Sequence, residues 1–258
     1  MQTEAAIAET DRARLLAELK ARIAAPETSD ARLLPFGIDA LDSRLAHGGI
    51  DGGGLHEIAA ASPTLGDDAA ATLFVAGIAA RFADRPVATI GWALTRFDLY
   101  APGLEQAGIS PAKLLYLEAR DEVMALALAE DCLRLGSFAA VVAEVKAADQ
   151  TATRRLQLAA ADGHTPMLLL RRWARAARDP LEKPSAACTR WRIGCAPSAA
   201  LSHAGVGRGC WSVDLVRQRG GNPFSLILEA CDDTGRLALP AAARDRAAAP
   251  VAATSRAA

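Results

Sequence analysis

The stretch Gly54–Phe82, GLHEIAAASPTLGDDAAATLFVAGIAARF, constrains the fold more than any other. An apolar run (Leu55–Ala59), a turn of small residues and a long apolar-periodic segment (Ala69–Phe82) form the strand–turn–helix layout of a phosphate-binding loop. Such a loop needs a lysine to meet the β/γ-phosphates and a Ser or Thr hydroxyl to ligate Mg²⁺. Where G-x-x-x-x-G-K-[ST] would run, the chain has Ser62-Pro63-Thr64-Leu65-Gly66-Asp67-Asp68. Pro63, Gly66, Asp67 and Asp68 therefore mark a degenerate, non-functional loop. The two carboxylates suit the positive end of a helix dipole and are expected to cap it, but they would repel a triphosphate. Leu55, Ile58, Phe74, Val75 and Ile78 are the expected core of this unit.

The rest of the chain alternates strand and helix signals. Pro86–Ala93, Lys113–Glu118, Phe138–Val145 and Pro166–Leu170 read as strands with near-continuous apolar runs. Phe97–Ala107, Asp121–Leu135 and Thr151–Ala161 read as helices between them. The expected buried side of the second is Val123, Leu126, Leu128, Cys132 and Leu135, with Gly136 as its C-cap and Thr151 as the N-cap of the third. Such alternation predicts an α/β fold with a mainly parallel sheet covered on both faces. From Thr189 the pattern changes. Thr189–Cys195, Cys210–Gln218 and Phe224–Ala230 alternate as half-exposed strands, and RGGNP (Arg219–Pro223) reads as a hairpin turn. An antiparallel C-terminal extension follows, with Leu237–Leu239 as a short edge strand.

Three regions follow. Residues 1–33 form a helical arm and linker, in which Leu15, Leu16, Leu19 and Ile23 make an apolar stripe before Pro26. Residues 34–240 form the α/β domain. Residues 241–258, rich in Ala, Arg and Pro, read as a disordered tail. The arm's stripe either packs on its own domain or docks on another protein.

Net charge is −1, so nucleic-acid binding would need a local basic patch. The five cysteines lack C-x-x-C spacing, which points to buried reduced thiols. His47, His56, His164 and His203 are scattered, so neither a metal site, a catalytic triad nor a cofactor is expected. No apolar run spans a membrane, and a soluble, cytoplasmic protein is expected.

The order of elements, with the phrases DLYAPGLEQAG, TATRRLQLAA and RQRGGNP, resembles the core of RecA-type recombinases over about Leu34–Leu239. Within that superfamily the chain resembles the ImuA family, RecA/SulA-related accessory proteins encoded beside ImuB and an error-prone C-family polymerase. The resemblance implies a RecA-like fold and a role in the SOS response, DNA repair, mutagenesis and translesion synthesis.

The departures from that pattern matter as much. RecA-type ATPases place a catalytic glutamate just after the second strand, where this chain has Ile90-Gly91-Trp92-Ala93-Leu94-Thr95. Glu144 is the remaining candidate for holding Mg²⁺. With lysine, hydroxyl and general base all missing, the chain is expected not to be an enzyme.

Recombinases hold single strands with two loops leaving the sheet. The first, after Val145, is shortened here. At the second, Arg171, Arg172, Trp173, Arg175 and Arg178 are candidates for weak single-stranded DNA contact or for a partner's acidic surface; alternatively, they form a solvated basic segment. Arg217 and Arg219 fall where RecA-like filaments reach the neighbouring subunit, and read equally as exposed hairpin arginines. Arg154 and Arg155 are ambiguous in the same way. The resulting expectation is a non-catalytic adaptor docking on RecA, an ImuB-like protein or the polymerase. A SulA-type cell-division inhibitor and a residual ATP- or DNA-binding RecA homologue are the alternatives.

Overall fold

A computed structural model describes residues 33–174, 178–198 and 205–240. The arm residues Leu15, Leu16, Leu19 and Ile23, the tail from 241, and Arg175 lie outside the described residues. The domain opens with a small antiparallel ribbon, β1 (Leu33–Leu34) with β2 (Ile50–Asp51), around the short helix α1 (Asp39–Asp42). This ribbon is not foreseen in the residue pattern, because two-residue strands have no periodicity to read.

Strand β3 (Leu55–Ala60) is buried along its whole length. It leads into α2 (Leu65–Phe82), then β4 (Ile90–Leu94), α3 (Ala101–Gln106), β5 (Leu114–Glu118) and α4 (Glu122–Leu135). The chain continues through β6 (Ala140–Val145), α5 (Gln150–Asp162), β7 (Met167–Arg171), β8 (Thr189–Ala196), β9 (Cys210–Gln218) and β10 (Phe224–Glu229). Eight strands form one sheet in the order β10-β9-β8-β3-β7-β6-β4-β5. Strands β3 to β8 run parallel, and β9 and β10 add antiparallel at one side. The expected mainly parallel core with an antiparallel extension is what forms.

Two apolar cores lie on the two faces. On one, Phe74, Val75 and Ile78 of α2 pack with Ile58, Trp92, Leu170 and Trp191. On the other, Ala125, Ala129 and Leu133 of α4 and Leu156 and Ala159 of α5 pack with Leu55, Val141 and Leu169. All five residues expected to form the core of the strand–helix unit are buried.

Several boundaries move, each for a local reason. Residues 86–89 stay out of the sheet, since β4 finds its partners only where β5 and β6 begin, at Leu114 and Ala140. Phe97 to Tyr100 precede α3, whose start is set by Pro102 in its first turn. The buried residues of α4 are Ala125, Ala129, Glu130, Cys132 and Leu133; of the expected side Cys132 is buried, Leu126 and Leu128 are partly buried against that core, and Val123 and Leu135 are exposed. Small residues let that helix approach the sheet closely, which a reading by side-chain size misses. Asp149, not Thr151, caps α5, accepting from the Ala152 N–H at 2.7 Å. Gly136 does cap α4, in the left-handed conformation at φ 62°. Leu237–Leu239 contributes a single bridge, Ala238 to Glu229, rather than a strand. Among the described residues no helix is long and apolar enough to cross a membrane.

Candidate functional site

The C-terminal ends of β3, β4, β6 and β7 meet the start of α2 at a cleft of about 710 Å³. In open α/β sheets, ligands lie outside the carboxyl ends of the strands, and here the degenerate loop forms one wall. Its backbone is not a phosphate cradle. A cradle of successive N–H groups needs alternating right- and left-handed conformations. Among the described residues, positive φ occurs at Gly37, Gly48, Gly108, Gly136, Gly220, Gly235 and His164, none of them in the loop.

The aspartates are used differently from the expectation of helix caps. Thr64 is the N-cap of α2, its hydroxyl accepting from the Asp67 N–H at 3.3 Å. Asp67 accepts from the Ser62 hydroxyl at 2.5 Å and from the Cys195 N–H at 2.8 Å, tying the loop to β8. Asp68 faces the cleft and pairs with Arg172 at 2.8 Å.

Arg172 is the centre of the site. It leaves the end of β7 and donates to Glu144 Oε2 through Nε at 3.0 Å and Nη2 at 2.8 Å. Its Nη1 reaches both Asp68 and the Thr72 hydroxyl, each at 2.8 Å. The other oxygen of Glu144 accepts from the indole N–H of Trp92 at 2.7 Å. Burial pushes the Arg172 guanidinium down, but Glu144 and Asp68 more than offset it and hold its pKa above the ordinary arginine value. A cation therefore sits between the two carboxylates, delivered from β7 instead of from the loop. Two carboxylates that the sequence did not single out, Asp98 and Glu122, also line the cleft. Asp98 is paired with Arg96, and Glu122 accepts from the Ala147 N–H at 3.1 Å.

The stretch from Arg171 to Arg178 does not form one basic surface. Arg171 is 2% exposed and lies on the opposite face of the sheet, its Nη1 on Glu57 at 2.6 Å. Arg190 binds the other oxygen of Glu57 at 2.6 Å, completing a buried triad. Arg171 is thus unavailable to DNA, because its charge compensates a carboxylate inside the domain; Arg172 is committed in the cleft. Trp173 is half-buried, donates to the Ala60 carbonyl at 2.9 Å and lines the cleft. Arg178 is exposed. A glutamate within the apolar run LHEIAA was the signal that a buried cation had to be nearby.

In the connection from β7 to β8, residues 178–188 pass over β3, with no helix among the described residues. A non-helical crossover must find partners for its own backbone, and arginines supply them. Arg190 donates to the Lys183 carbonyl at 2.9 Å, Arg217 to that of Ser185 at 2.9 Å and Arg219 to that of Ala186 at 3.2 Å. Arg192 pairs with Asp179, and the Ala186 N–H reaches the Thr153 hydroxyl of α5 at 3.2 Å. Arg217 and Arg219, read from the sequence as subunit-interface candidates, are exposed and hold this strap within their own chain.

Fold and cleft together define a class: an α/β domain with the strand–loop–helix of a phosphate-loop protein, whose loop lacks the cradle and whose cleft carries an internal arginine. No protein-family model matches the chain. Over 203 residues it is 40% identical to Protein ImuA of Caulobacter vibrioides strain NA1000 / CB15N, the match covering 77% of this chain and 83% of that protein. The same protein in strain ATCC 19089 / CIP 103742 / CB 15 matches equally. The chain belongs to the ImuA family. Among solved structures, SulA from Pseudomonas aeruginosa is similar at 25% identity with a TM-score of 0.38, covering 45% of this chain and 96% of that one.

Proposed function

We propose that the chain is a non-catalytic adaptor in SOS-induced mutagenesis and translesion DNA synthesis, docking on RecA or on an assembly of an ImuB-like protein and an error-prone polymerase. Membership of the ImuA family supports the setting. The single observation that carries the non-catalytic part is Arg172, which pairs with Asp68 and Glu144 where a nucleotide's phosphates and metal would otherwise be handled. Arg172 already spends its charge on these two carboxylates, so a triphosphate at that position would meet a site of net charge −1, at about 4 kcal/mol of repulsion per unit charge at 4 Å near a protein surface. The loop supplies no lysine, and of the other cations lining the cleft Arg96, after β4, is paired with Asp98, which leaves Lys146 at its rim.

In this reading the domain is a scaffold and the Leu15/Leu19/Ile23 arm is a docking element. Pull-down of each partner by the full chain and by the Leu15→Asp/Leu19→Asp variant tests this. At least one partner is expected to be lost; unchanged capture of all partners removes the arm from the proposal. Capture of none by the full chain, alongside magnesium-dependent ATP turnover, removes the proposal itself.

A further inference from the structure

The strap that crosses β3 concentrates cations at the amino-terminal end of the parallel strands. Arg217 and Arg219 are two apart on one chain segment and are anchored to consecutive carbonyls, Ser185 and Ala186, at 2.9 and 3.2 Å. Lys183 lies on the same strap, and Arg154 follows Thr153, whose hydroxyl binds the Ala186 N–H at 3.2 Å. All four are exposed, and none has a carboxylate partner among the described residues. Elsewhere on the surface, Arg96, Arg120, Arg134, Arg155 and Arg208 are paired with acids, while Arg44, Arg85, Lys146, Arg178 and Arg236 are exposed without a carboxylate partner among the described residues but stand on separate segments. In a chain of net charge −1, four uncompensated cations around one strap are a local excess. Nearby acids include, on the strap, Glu182 and Asp179, the latter paired with Arg192, and Asp51, whose field is felt at Cys188 together with those of Arg219 and Arg217.

Each guanidinium spends one nitrogen on its carbonyl and keeps the others for a ligand. Anchoring of this kind removes much of the side-chain entropy that an arginine loses on binding. The donors are exposed and positively charged, three of them planar guanidinium groups, so they suit phosphodiester oxygens.

We propose that the face formed by Arg154, Lys183, Arg217 and Arg219 binds the phosphate backbone of nucleic acid without sequence preference. The proposal stands apart from the adaptor reading, since a scaffold that hydrolyses nothing can still hold a strand.

The test is fluorescence anisotropy of the full chain with a labelled oligothymidylate, titrated at several salt concentrations. Binding is expected to weaken with salt, and the slope of log K against log salt to fall by about 0.7 per cation removed from a single-strand site. Arg217→Gln/Arg219→Gln is expected to lose about tenfold in affinity. Because those residues also hold the strap, Arg154→Gln/Lys183→Gln, which removes no backbone contact, serves as the second variant and is expected to lose a similar factor with unchanged circular dichroism. A duplex of equal length is expected to compete. Unaltered affinity in both double variants overturns the proposal, as does binding that ignores salt. Equal affinity for polyglutamate, a polyanion without phosphates, would fail it as well, and so would competition by ATP at the same phosphate concentration, which would assign the face to an isolated phosphate group.

Discussion

Arg172 is held by side chains from α2 and β6 at once, and this fixes what its removal would do. Arg172→Ala leaves Glu144 and Asp68 facing one another without a cation. Breaking a fully buried ion pair costs about 3–5 kcal/mol. Asp68 is 40% exposed and recovers water, so about 2–3 kcal/mol is expected here, chiefly from Glu144 beneath the Trp92 indole. Urea denaturation measures it, and Glu144→Gln should cost less in the Arg172→Ala background than in the parent because the two share one interaction. Additive losses would show that the cleft pair is not coupled.

A second residue makes a pH prediction. His56 is fully buried, its Nε2–H donating to the Asp51 carbonyl at 2.9 Å while Nδ1 accepts from the Thr189 hydroxyl at 2.7 Å. That hydroxyl in turn accepts from Trp191 Nε1 at 2.7 Å. Burial pushes the imidazole below its ordinary value, outweighing the Asp51 carbonyl and the Asp51 charge, which raise it. The unfolded chain takes up a proton near about pH 6.5 and the folded one resists it, so the unfolded state binds more protons below that pH. Stability is therefore complete above about pH 6.5 and declines as pH falls towards the folded pKa, by up to about 1.4 kcal/mol per pH unit. Denaturation midpoints measured between about pH 5 and 7.5 should show this decline, and His56→Gln should flatten it. A flat profile in the parent chain sinks the assignment.

Among the elements, α4 and α5 meet at the turn that follows each of them. A Cβ built on Gly163 would lie 1.8 Å from the Leu133 carbonyl oxygen, so the two helix ends touch through backbone alone. Gly163→Ala is expected to force them apart at a cost of about 1–3 kcal/mol, as overpacked substitutions do. Thermal unfolding checks it, and a Gly163→Ala chain as stable as the parent would show that the junction gives way freely. This contact also marks a limit of legibility. The strands of the parallel core declared themselves by continuous apolar runs, and α2 by a long apolar segment after a turn. The packing of α4 was only partly legible, because Ala125 and Ala129 of its buried side carry no size signal, although Cys132 did. The strap after β7 was hidden. Its basic residues looked like a surface from the sequence, whereas burial of Glu57 draws Arg171 and Arg190 inward and crossover carbonyls engage Arg190 and two more, Arg217 and Arg219. Pairing of that kind joins residues far apart in the chain and leaves no periodic trace.

For the whole molecule, the question is whether the fold still responds to the ligand its architecture was compared with. A ligand that binds only the native state stabilises it by RT ln(1 + [L]/Kd), or about 2.7 kcal/mol at a hundredfold excess over Kd. For a domain of this size each kcal/mol moves the melting temperature by about 2–4 °C. An intact nucleotide site would therefore announce itself as a shift of several degrees with millimolar magnesium–ATP. Arg172 between Asp68 and Glu144, and a loop tied to β8 through Asp67, predict a shift within error. The Arg172→Ala chain supplies the stricter comparison. It removes the internal cation but leaves the loop backbone without its cradle, so it too should melt at one temperature with or without nucleotide. If instead ATP restored the stability lost on that substitution, the cleft would be a nucleotide site under an intramolecular plug, and the scaffold reading would give way to a regulated one.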